Sequence, residues 1–360
     1  MIAPNLDAAS RYGIDRAGLG ALLADQPPYR AEQVWKGLYE LLATPEEMTN
    51  LPRPLREELE QALRPDLQFV TESVSDGGET LKFLWSLTGD ARVETVLMLY
   101  PDRATVCVSS QAGCAMGCGF CATGQSGFTR HLTAGEIIEQ VVRAARRARD
   151  GGRRVSNVVF MGMGEPLANE AAVWAAAERL HGDLGLSARH LTISTIGIVP
   201  GIRKLAEHRL PVTLAVSLHA ANDELRDRLV PINRRYPLGE VLSACADLLA
   251  VSRRRISFEW ALIDGVNDRA VDAAELAALA RRLRPAAHVN LIPLNPTRGW
   301  PTAGSPPTQV AEFRRRLASL GVNVTVRSNR GTDIDAACGQ LAATTPVELS
   351  SPRCARTASG

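Results

Sequence analysis

The stretch Cys114-Ala-Met-Gly-Cys118-Gly-Phe-Cys121 is the most informative part of this chain of 360 residues. Its CxxxCxxC spacing places three thiolates on one short loop, where they can bind a single inorganic core. Three cysteines on a 4Fe–4S cube leave one iron without a protein ligand, and that iron can hold a substrate or a second cofactor. The alternative is a structural zinc site that takes Cys107 or Cys338 as its fourth ligand. Because zinc ligands usually come as CxxC pairs separated by a longer loop, the spacing favours the cluster.

Strands and helices alternate from residue 104 onward, on both sides of this loop. The predicted strands cover residues 104–109, 155–161, 190–195, 211–217, 255–262, 287–292 and 322–326. The predicted helices cover residues 133–149, 170–182, 200–208, 237–251, 271–283 and 308–319. Such alternation predicts an α/β fold with a parallel sheet and right-handed connections. About six units form a partial (β/α)6 barrel, in which chemistry collects where the strands end, as the cysteine loop does.

The residues before the barrel have two different patterns. Apolar residues at helical spacing predict a small helical domain over residues 1–70. Residues 71–100 contain two alternating runs joined by a Gly-Asp turn, which predicts a β-hairpin extension. The barrel is then predicted over residues 101–345. The polar, Ser- and Pro-rich tail over 346–360 is expected to be disordered.

Composition excludes several classes of protein. Hydrophobic residues make up 45% of the chain and the net charge is +2, which argues against a disordered protein. No apolar run approaches the ~20 residues that span a bilayer, and no secretion signal is evident. Seven cysteines gathered around one motif do not resemble a secreted disulfide framework, so we expect a cytoplasmic protein. Runs of arginine are compatible with a nucleic-acid surface but are more often solvated helix faces.

Polar residues and glycines follow successive predicted strands. Gly162-Met-Gly164-Glu165-Pro166 comes directly after strand 155–161, where glycine lets the backbone approach a ligand and Glu165 can accept from an ammonium. Each later polar group could by itself be a helix cap or a turn residue. Together they predict hydrogen-bonding partners for one bound nucleoside. The predicted set is Gly164, Glu165, Ser194, Ser217, Leu218 (through its backbone), His219 and Asn295.

Two further cysteines lie in long motifs. Cys107 is on the first barrel strand, and Cys338 is in Arg330-Gly-Thr-Asp-Ile-Asp-Ala-Ala-Cys338-Gly-Gln-Leu341. From the residues alone, each thiol is either a buried core side chain or a reactive group.

The chain resembles the radical-SAM adenine-C2 RNA methyltransferase family (RlmN). The resemblance rests on the motifs of Cys107 and Cys338 together with the CxxxCxxC loop and the Gly-Met-Gly-Glu-Pro turn. The similarity runs from about Tyr29 to Leu341. A sister family, which methylates carbon 8 of the same adenine, shares the cysteines. Pro166 and the long N-terminal domain favour the carbon-2 family.

The resemblance implies a 4Fe–4S cluster held by the three cysteines of the CxxxCxxC motif, with S-adenosylmethionine (SAM) on its open iron. It implies that Cys338 takes a methyl group from one SAM, and that a radical formed from a second SAM activates this methyl for addition to carbon 2. Cys107 then attacks the Cys338 sulfur and releases the RNA. The resemblance assigns removal of the carbon-2 proton to Glu94, and Cys107 itself is the alternative base.

The implied substrates are an adenine of 23S rRNA, in the peptidyl transferase region, and the adenine 3′ of the anticodon in tRNA. The N-terminal domain would assist RNA binding, a reducing system of the flavodoxin or thioredoxin type would supply electrons, and the protein would be a monomer without a membrane partner. Two rival functions remain at this stage. One is a radical-SAM enzyme acting on a protein or small molecule, and the other is a zinc-binding RNA-interaction module without turnover.

Overall fold

A computed structural model describes residues 9–252, 254–283, 285–297 and 299–343. The strands are β1 (Ala9–Ser10), β2 (Leu63–Arg64), β3 (Gln68–Ser75), β4 (Thr80–Ser86), β5 (Arg92–Leu99), β6 (Ala104–Cys107), β7 (Gln111–Gly113), β8 (Phe128–His131), β9 (Val155–Phe160), β10 (Leu191–Thr195), β11 (Thr213–Ser217), β12 (Ser257–Leu262), β13 (His288–Pro293) and β14 (Val324–Val326). The helices are α1 (Arg16–Leu22), α2 (Tyr29–Tyr39), α3 (Arg53–Ala62), α4 (Ala122–Gln125), α5 (Ala134–Asp150), α6 (Glu170–Gly182), α7 (Val199–Leu205), α8 (Asp223–Leu229), α9 (Leu238–Ser252), α10 (Ala270–Arg282) and α11 (Pro307–Ser319). Short 3₁₀ turns cover Pro45–Glu47, Asp76–Gly78, Pro166–Asn169, Ala188–His190, Pro231–Arg234 and Thr332–Ile334.

The barrel is built on seven neighbouring parallel strands, in the order β14-β13-β12-β11-β10-β9-β6. Six of the helices, α5, α6, α7, α9, α10 and α11, connect successive strands of this set. Strand residues such as Val158, Phe160 and Phe258 are fully buried, as expected of parallel strands covered by helices. The α/β partial barrel predicted from the sequence is confirmed.

An antiparallel extension continues the same sheet beyond β6. Strands β5, β4 and β3 follow in that order, each antiparallel to its neighbour. The predicted hairpin corresponds to β4 and β5, whereas the third strand, β3, was not predicted. The apolar residues of β3 are Phe69, Val70 and Val74, which do not follow a period of two, so this edge strand lacks the clear apolar alternation by which a strand is recognised.

The N-terminal helices are held against the barrel by arginines of α5. Arg146 pairs with Glu47, and this guanidinium lowers the pKa of the Glu47 carboxyl to about 2. Three further arginines of the same helix also contact other parts of the protein. Arg143 donates to the carbonyl of Leu67, and Arg149 donates to the carbonyl of Leu41. Arg147 pairs with the carboxylate of Glu72. This arginine run therefore makes contacts within the protein, while Arg147 remains 43% exposed. Whether the run also contacts RNA stays a prediction.

Within the described ranges, no helix combines the length and the apolar character needed to cross a membrane. The predicted disordered tail, residues 346–360, lies outside the described residues, and the proposed domain boundaries remain predictions.

Candidate active site

The cysteine loop leaves the sheet after β6 and is shaped by close backbone contacts. Gly113 has φ 73°, and a Cβ atom there would lie 2.0 Å from the carbonyl oxygen of Gly127, so no other residue fits. The amide of Cys114 donates to that same oxygen at 2.7 Å. The amide of Cys121 donates to the carbonyl of Cys118 at 3.1 Å. As a result, the side chains of all three cysteines line one cavity, called here the first cavity.

The chemistry of these thiols suits an iron–sulfur cluster. Burial raises the pKa of Cys114 to about 11 and also raises the pKa of Cys118 and Cys121. Without a metal the three groups are therefore neutral thiols, and bonding to iron is what makes such thiols ionise. Three soft ligands on one wall of a cavity are a donor set that could hold a 4Fe–4S cluster with one open iron.

Glu165 lines the first cavity together with the cysteines. Its carboxylate accepts hydrogen bonds from the amides of Ile196 (2.8 Å) and Leu167 (3.0 Å), and burial raises its pKa to about 7. The preceding Gly164 has φ 98°, and a Cβ atom there would lie 2.5 Å from the Gln111 side chain. The turn after β9 thus places a buried carboxylate where it could accept a hydrogen bond from a ligand ammonium.

Residues at the ends of β10 and β11 also line the first cavity, as the strand-end pattern predicts. Ser194, Ser217 and His219 are all part of its wall. Burial, assisted by Arg226, lowers the pKa of His219 to about 3, so the ring is neutral. Its Nδ1 accepts from the amide of Ala261 at 3.0 Å, which leaves the proton on Nε2 as a donor.

Leu218 is placed differently from its neighbours in sequence. It is fully buried and does not line the cavity. Its amide donates to the carbonyl of Glu259 at 3.0 Å, and its carbonyl accepts from Arg226 Nε at 3.1 Å. The buried Arg226 also donates to the carbonyl of Ile196, so it ties the ends of two strands together. No sequence signal singled out Arg226, because it lies between predicted elements.

Cys338 reaches the first cavity from the C-terminal segment. The side-chain amide of Asn295 donates to the Cys338 carbonyl oxygen at 3.0 Å, and the Asn295 oxygen accepts from Asn329 at 2.7 Å. Asn295 and Cys338 both line the first cavity with the three cysteines. The structure therefore brings Cys338, which lies 217 residues after Cys121 in sequence (338 minus 121), to the cavity that the three cysteines of the loop line.

Cys338 also lines a second cavity, which contains Cys107. Arg327 and Met161 are likewise shared by both cavities. Burial raises the pKa of Cys107 to about 12, and proximity to Cys338 adds to that effect. Cys338 thus stands between the cavity of the three cysteines and the cavity of Cys107.

Glu94 is not part of either cavity. Its side chain is 1% exposed, and Oε1 lies 2.9 Å from Nζ of Lys82. Oε2 accepts from the amides of Ala342 at 2.9 Å and Ala343 at 3.0 Å. Of the predicted site residues, only Glu94 and Leu218 do not line either cavity. The roles of all the predicted site residues remain predictions.

Two charged residues of the first cavity were missed from the sequence. Arg327 directly follows β14, so the strand-end rule would have found it. Glu259 lies within β12 and accepts from the side chains of Asn290 (2.7 Å) and Ser257 (2.7 Å). A charged residue in an otherwise apolar strand was the available signal.

Comparison with known proteins agrees with this geometry. The Radical SAM superfamily matches residues 108–277, from the start of the cysteine loop into α10. The fold and the site therefore define a radical SAM enzyme.

Relatives that match most of this chain show which family of radical SAM enzymes it belongs to. "Probable dual-specificity RNA methyltransferase RlmN" of Frankia alni is 55% identical over 337 residues, covering 90% of this chain and 80% of that protein. The protein of the same name in Mycobacterium marinum is 52% identical over 325 residues, covering 88% and 89%. The crystal structure of a radical SAM methyltransferase from Sphaerobacter thermophilus is 49% identical and superposes with a TM-score of 0.90, covering 93% of this chain and all of that one. The chain belongs to the RlmN family of RNA methyltransferases.

The protein is therefore an enzyme that uses a 4Fe–4S cluster and SAM. The alternative of a zinc-binding module without turnover is set aside by this assignment.

Proposed function

We propose that this enzyme methylates carbon 2 of an adenine in 23S rRNA, in the peptidyl transferase region, and of the adenine 3′ of the anticodon in tRNA. The observation that carries the proposal is the position of Cys338 between the two cavities. Carbon 2 of adenine has no lone pair and cannot attack a methyl sulfonium as a nitrogen would. A carrier thiol beside a radical centre provides the route that such a carbon needs.

The first cavity holds the cofactors in this proposal. Cys114, Cys118 and Cys121 would hold the cluster, which together with SAM would supply one-electron chemistry that no side chain provides. Glu165 accepts from the SAM ammonium, and the neutral His219 donates through Nε2. The remaining residues proposed to contact SAM are Gly164, Ser194, Ser217, Leu218 (through its backbone) and Asn295.

The two thiols outside the loop have different tasks. The Cys338 sulfur takes a methyl group from SAM by displacement; a carbon–sulfur bond forms, the sulfonium bond breaks and the thiol proton leaves. After the methyl carbon has bonded to adenine, the Cys107 sulfur attacks the Cys338 sulfur. The bond between sulfur and the RNA-linked carbon breaks; its electron pair stays on that carbon, which takes a proton and becomes the methyl group of the product. The two sulfurs are left as a disulfide, which a reductant returns to two thiols.

Two groups are candidates for the base that removes the carbon-2 proton. Cys107 lines the second cavity beside Cys338. Glu94, the base assigned by resemblance, is held by Lys82 and by two backbone amides. If a Glu94→Gln variant still methylates Cys338, accumulation of the RNA adduct would assign the proton transfer to Glu94, and release of methylated RNA would assign it to Cys107.

The RNA must present its adenine out of the stack, which favours a looped region of rRNA or tRNA. We propose that the enzyme acts as a monomer in the cytoplasm, with a flavodoxin or thioredoxin type of reducing protein. The free thiols of the described cysteines are consistent with that compartment.

Nucleoside mass spectrometry tests the proposal. A host without its own enzyme would express this chain or its Cys338→Ala variant, and its rRNA and tRNA would be digested separately. We expect 2-methyladenosine in both RNAs with the wild type and in neither with the variant. The appearance of 8-methyladenosine instead would assign the chain to the activity of the sister family.

A further inference from the structure

Two unusual backbone positions bracket Cys338 in what we call the carrier segment, residues 335–343. Asp335 has φ 52° and Ala343 has φ 54°, in the left-handed region that non-glycine residues rarely adopt. Such conformations cost free energy and persist where neighbouring contacts impose them. The position of Cys338 therefore depends on the groups that hold Asp335 and Ala343.

A single buried ion pair contacts the carrier segment at both positions. Lys82 Nζ lies 2.9 Å from Glu94 Oε1 and donates to the carbonyl oxygen of Asp335 at 3.3 Å. Glu94 Oε2 accepts from the amides of Ala342 and Ala343 at 2.9 Å and 3.0 Å. The side chains of Lys82 and Glu94 are only 8% and 1% exposed. Their two strands, β4 and β5, belong to the antiparallel extension and not to the barrel.

The cysteine loop holds the carrier segment from the other side. The amide of Ala122 donates to the carbonyl of Gly339 at 2.7 Å, and the hydroxyl of Thr123 donates to the carbonyl of Leu341 at 2.6 Å. The carrier segment, which contains Cys338, is thus hydrogen-bonded both to the loop that carries Cys121 and to the ion pair of the extension.

We propose that the Lys82–Glu94 pair is a clasp that fixes the carrier segment and so positions Cys338 between the two cavities. Lys82 and Glu94 are then positioning residues for the reaction, and the antiparallel extension serves to carry the clasp. The functional consequence rests on the proposed role of Cys338. Removing one partner would leave a buried charge uncompensated and release at least one end of the segment.

Hydrogen–deuterium exchange of the cluster-loaded enzyme tests the clasp directly. Glu94→Ala removes the acceptor of two amides, so exchange at Ala342 and Ala343 should rise about tenfold or more. The fraction of Cys338 that carries a methyl group, measured by peptide mass spectrometry, should fall in the same variant. The double variant Lys82→Met with Glu94→Gln keeps an amide-accepting oxygen without a buried charge, so it should retain slow exchange.

Glu139→Ala is the matched control. Glu139 is also 1% exposed, pairs with Arg143 and accepts from the amides of Asp66 and Leu67, which lie outside the carrier segment. It should leave exchange in residues 335–343 at the wild-type rate. Wild-type exchange in Glu94→Ala, or an equal rise in the control, would overturn the clasp. Exchange does not depend on the reaction, so an unmethylated Cys338 in the wild type would count against the proposed function alone.

Discussion

The side-chain amide of Asn295 donates to the carbonyl oxygen of Cys338 across 3.0 Å, which connects the end of β13 to the segment that carries the proposed methyl acceptor. Asn295 is 2% exposed, and its oxygen is occupied by Asn329. The wall of the first cavity at Asn295 and the segment that carries Cys338 are therefore hydrogen-bonded to each other. This arrangement explains how a thiol on an irregular segment can face a cavity built by a rigid sheet.

The two thiols of the second cavity should respond unequally to substitution. Cys338→Ala should bind cluster and SAM yet never form an RNA adduct, because no adduct can exist without the methyl carrier. Cys107→Ala should accumulate protein joined to RNA through a thioether at Cys338, because the resolving thiol is missing. Denaturing gels with labelled RNA, followed by mass spectrometry of the crosslinked peptide, measure both. Normal turnover by Cys107→Ala would contradict the assignment.

Alanine at Cys114, Cys118 or Cys121 should abolish cluster loading and methylation together. Each thiol would hold a different iron of the cube, so no remaining ligand could replace it. Iron and sulfide content after anaerobic purification, with the visible absorbance, reports the loss. Cys245→Ala is the control, since this thiol is buried in α9 away from the first cavity and should leave iron content unchanged. A full iron content in any loop variant would exclude that cysteine as a ligand.

In the protein without cluster or SAM, the contribution of Glu165 to the free energy of unfolding should decrease as pH rises. Burial raises the pKa of Glu165 from 4.5 to about 7, so the folded state binds the proton more tightly than the unfolded chain. The stabilisation is complete below about pH 4.5 and is lost as pH rises through about 7. Relative to Glu165→Gln, the wild type should lose on the order of 3 kcal/mol over this window. Anaerobic urea unfolding measures it, and parallel stability curves would contradict it.

Gly164→Ala should destabilise the protein and prevent SAM binding. The added Cβ would enter a backbone conformation with φ 98° and lie 2.5 Å from the side chain of Gln111, whose oxygen accepts from the Glu165 amide. We expect a cost of roughly 1–3 kcal/mol from the backbone alone. Gly239→Ala in α9 is the control, since nothing lies within 4 Å of its added Cβ. Thermal unfolding and equilibrium SAM binding measure the two effects; unchanged SAM affinity in Gly164→Ala would argue against this turn as part of the pocket.

Much of the barrel was determined by local sequence. The predicted helix over residues 170–182 matches α6 (Glu170–Gly182), and strand 155–161 differs from β9 (Val155–Phe160) by one residue. Buried parallel strands require continuous apolar runs, and amphipathic helices repeat every 3.6 residues, so both can be read without tertiary information. The cysteine loop is equally local, because its ligands lie within eight residues, 114 to 121. Strand β3 was missed because its apolar residues, Phe69, Val70 and Val74, neither alternate nor form a continuous run.

The tertiary structure alone decided which isolated polar groups and thiols face a common space. A core cysteine and a cavity-lining cysteine look the same in sequence, so only the packing shows that Cys107 and Cys338 share a cavity while Cys245 does not. The same holds for Glu94, whose contact with Ala342 joins residues 248 positions apart. Such contacts depend on how distant elements are brought together when apolar surface is buried, and no short sequence window records that outcome. The sequence therefore determined the parallel strands and the connecting helices of the barrel together with the cysteine loop, and long-range packing determined how Cys338 is held.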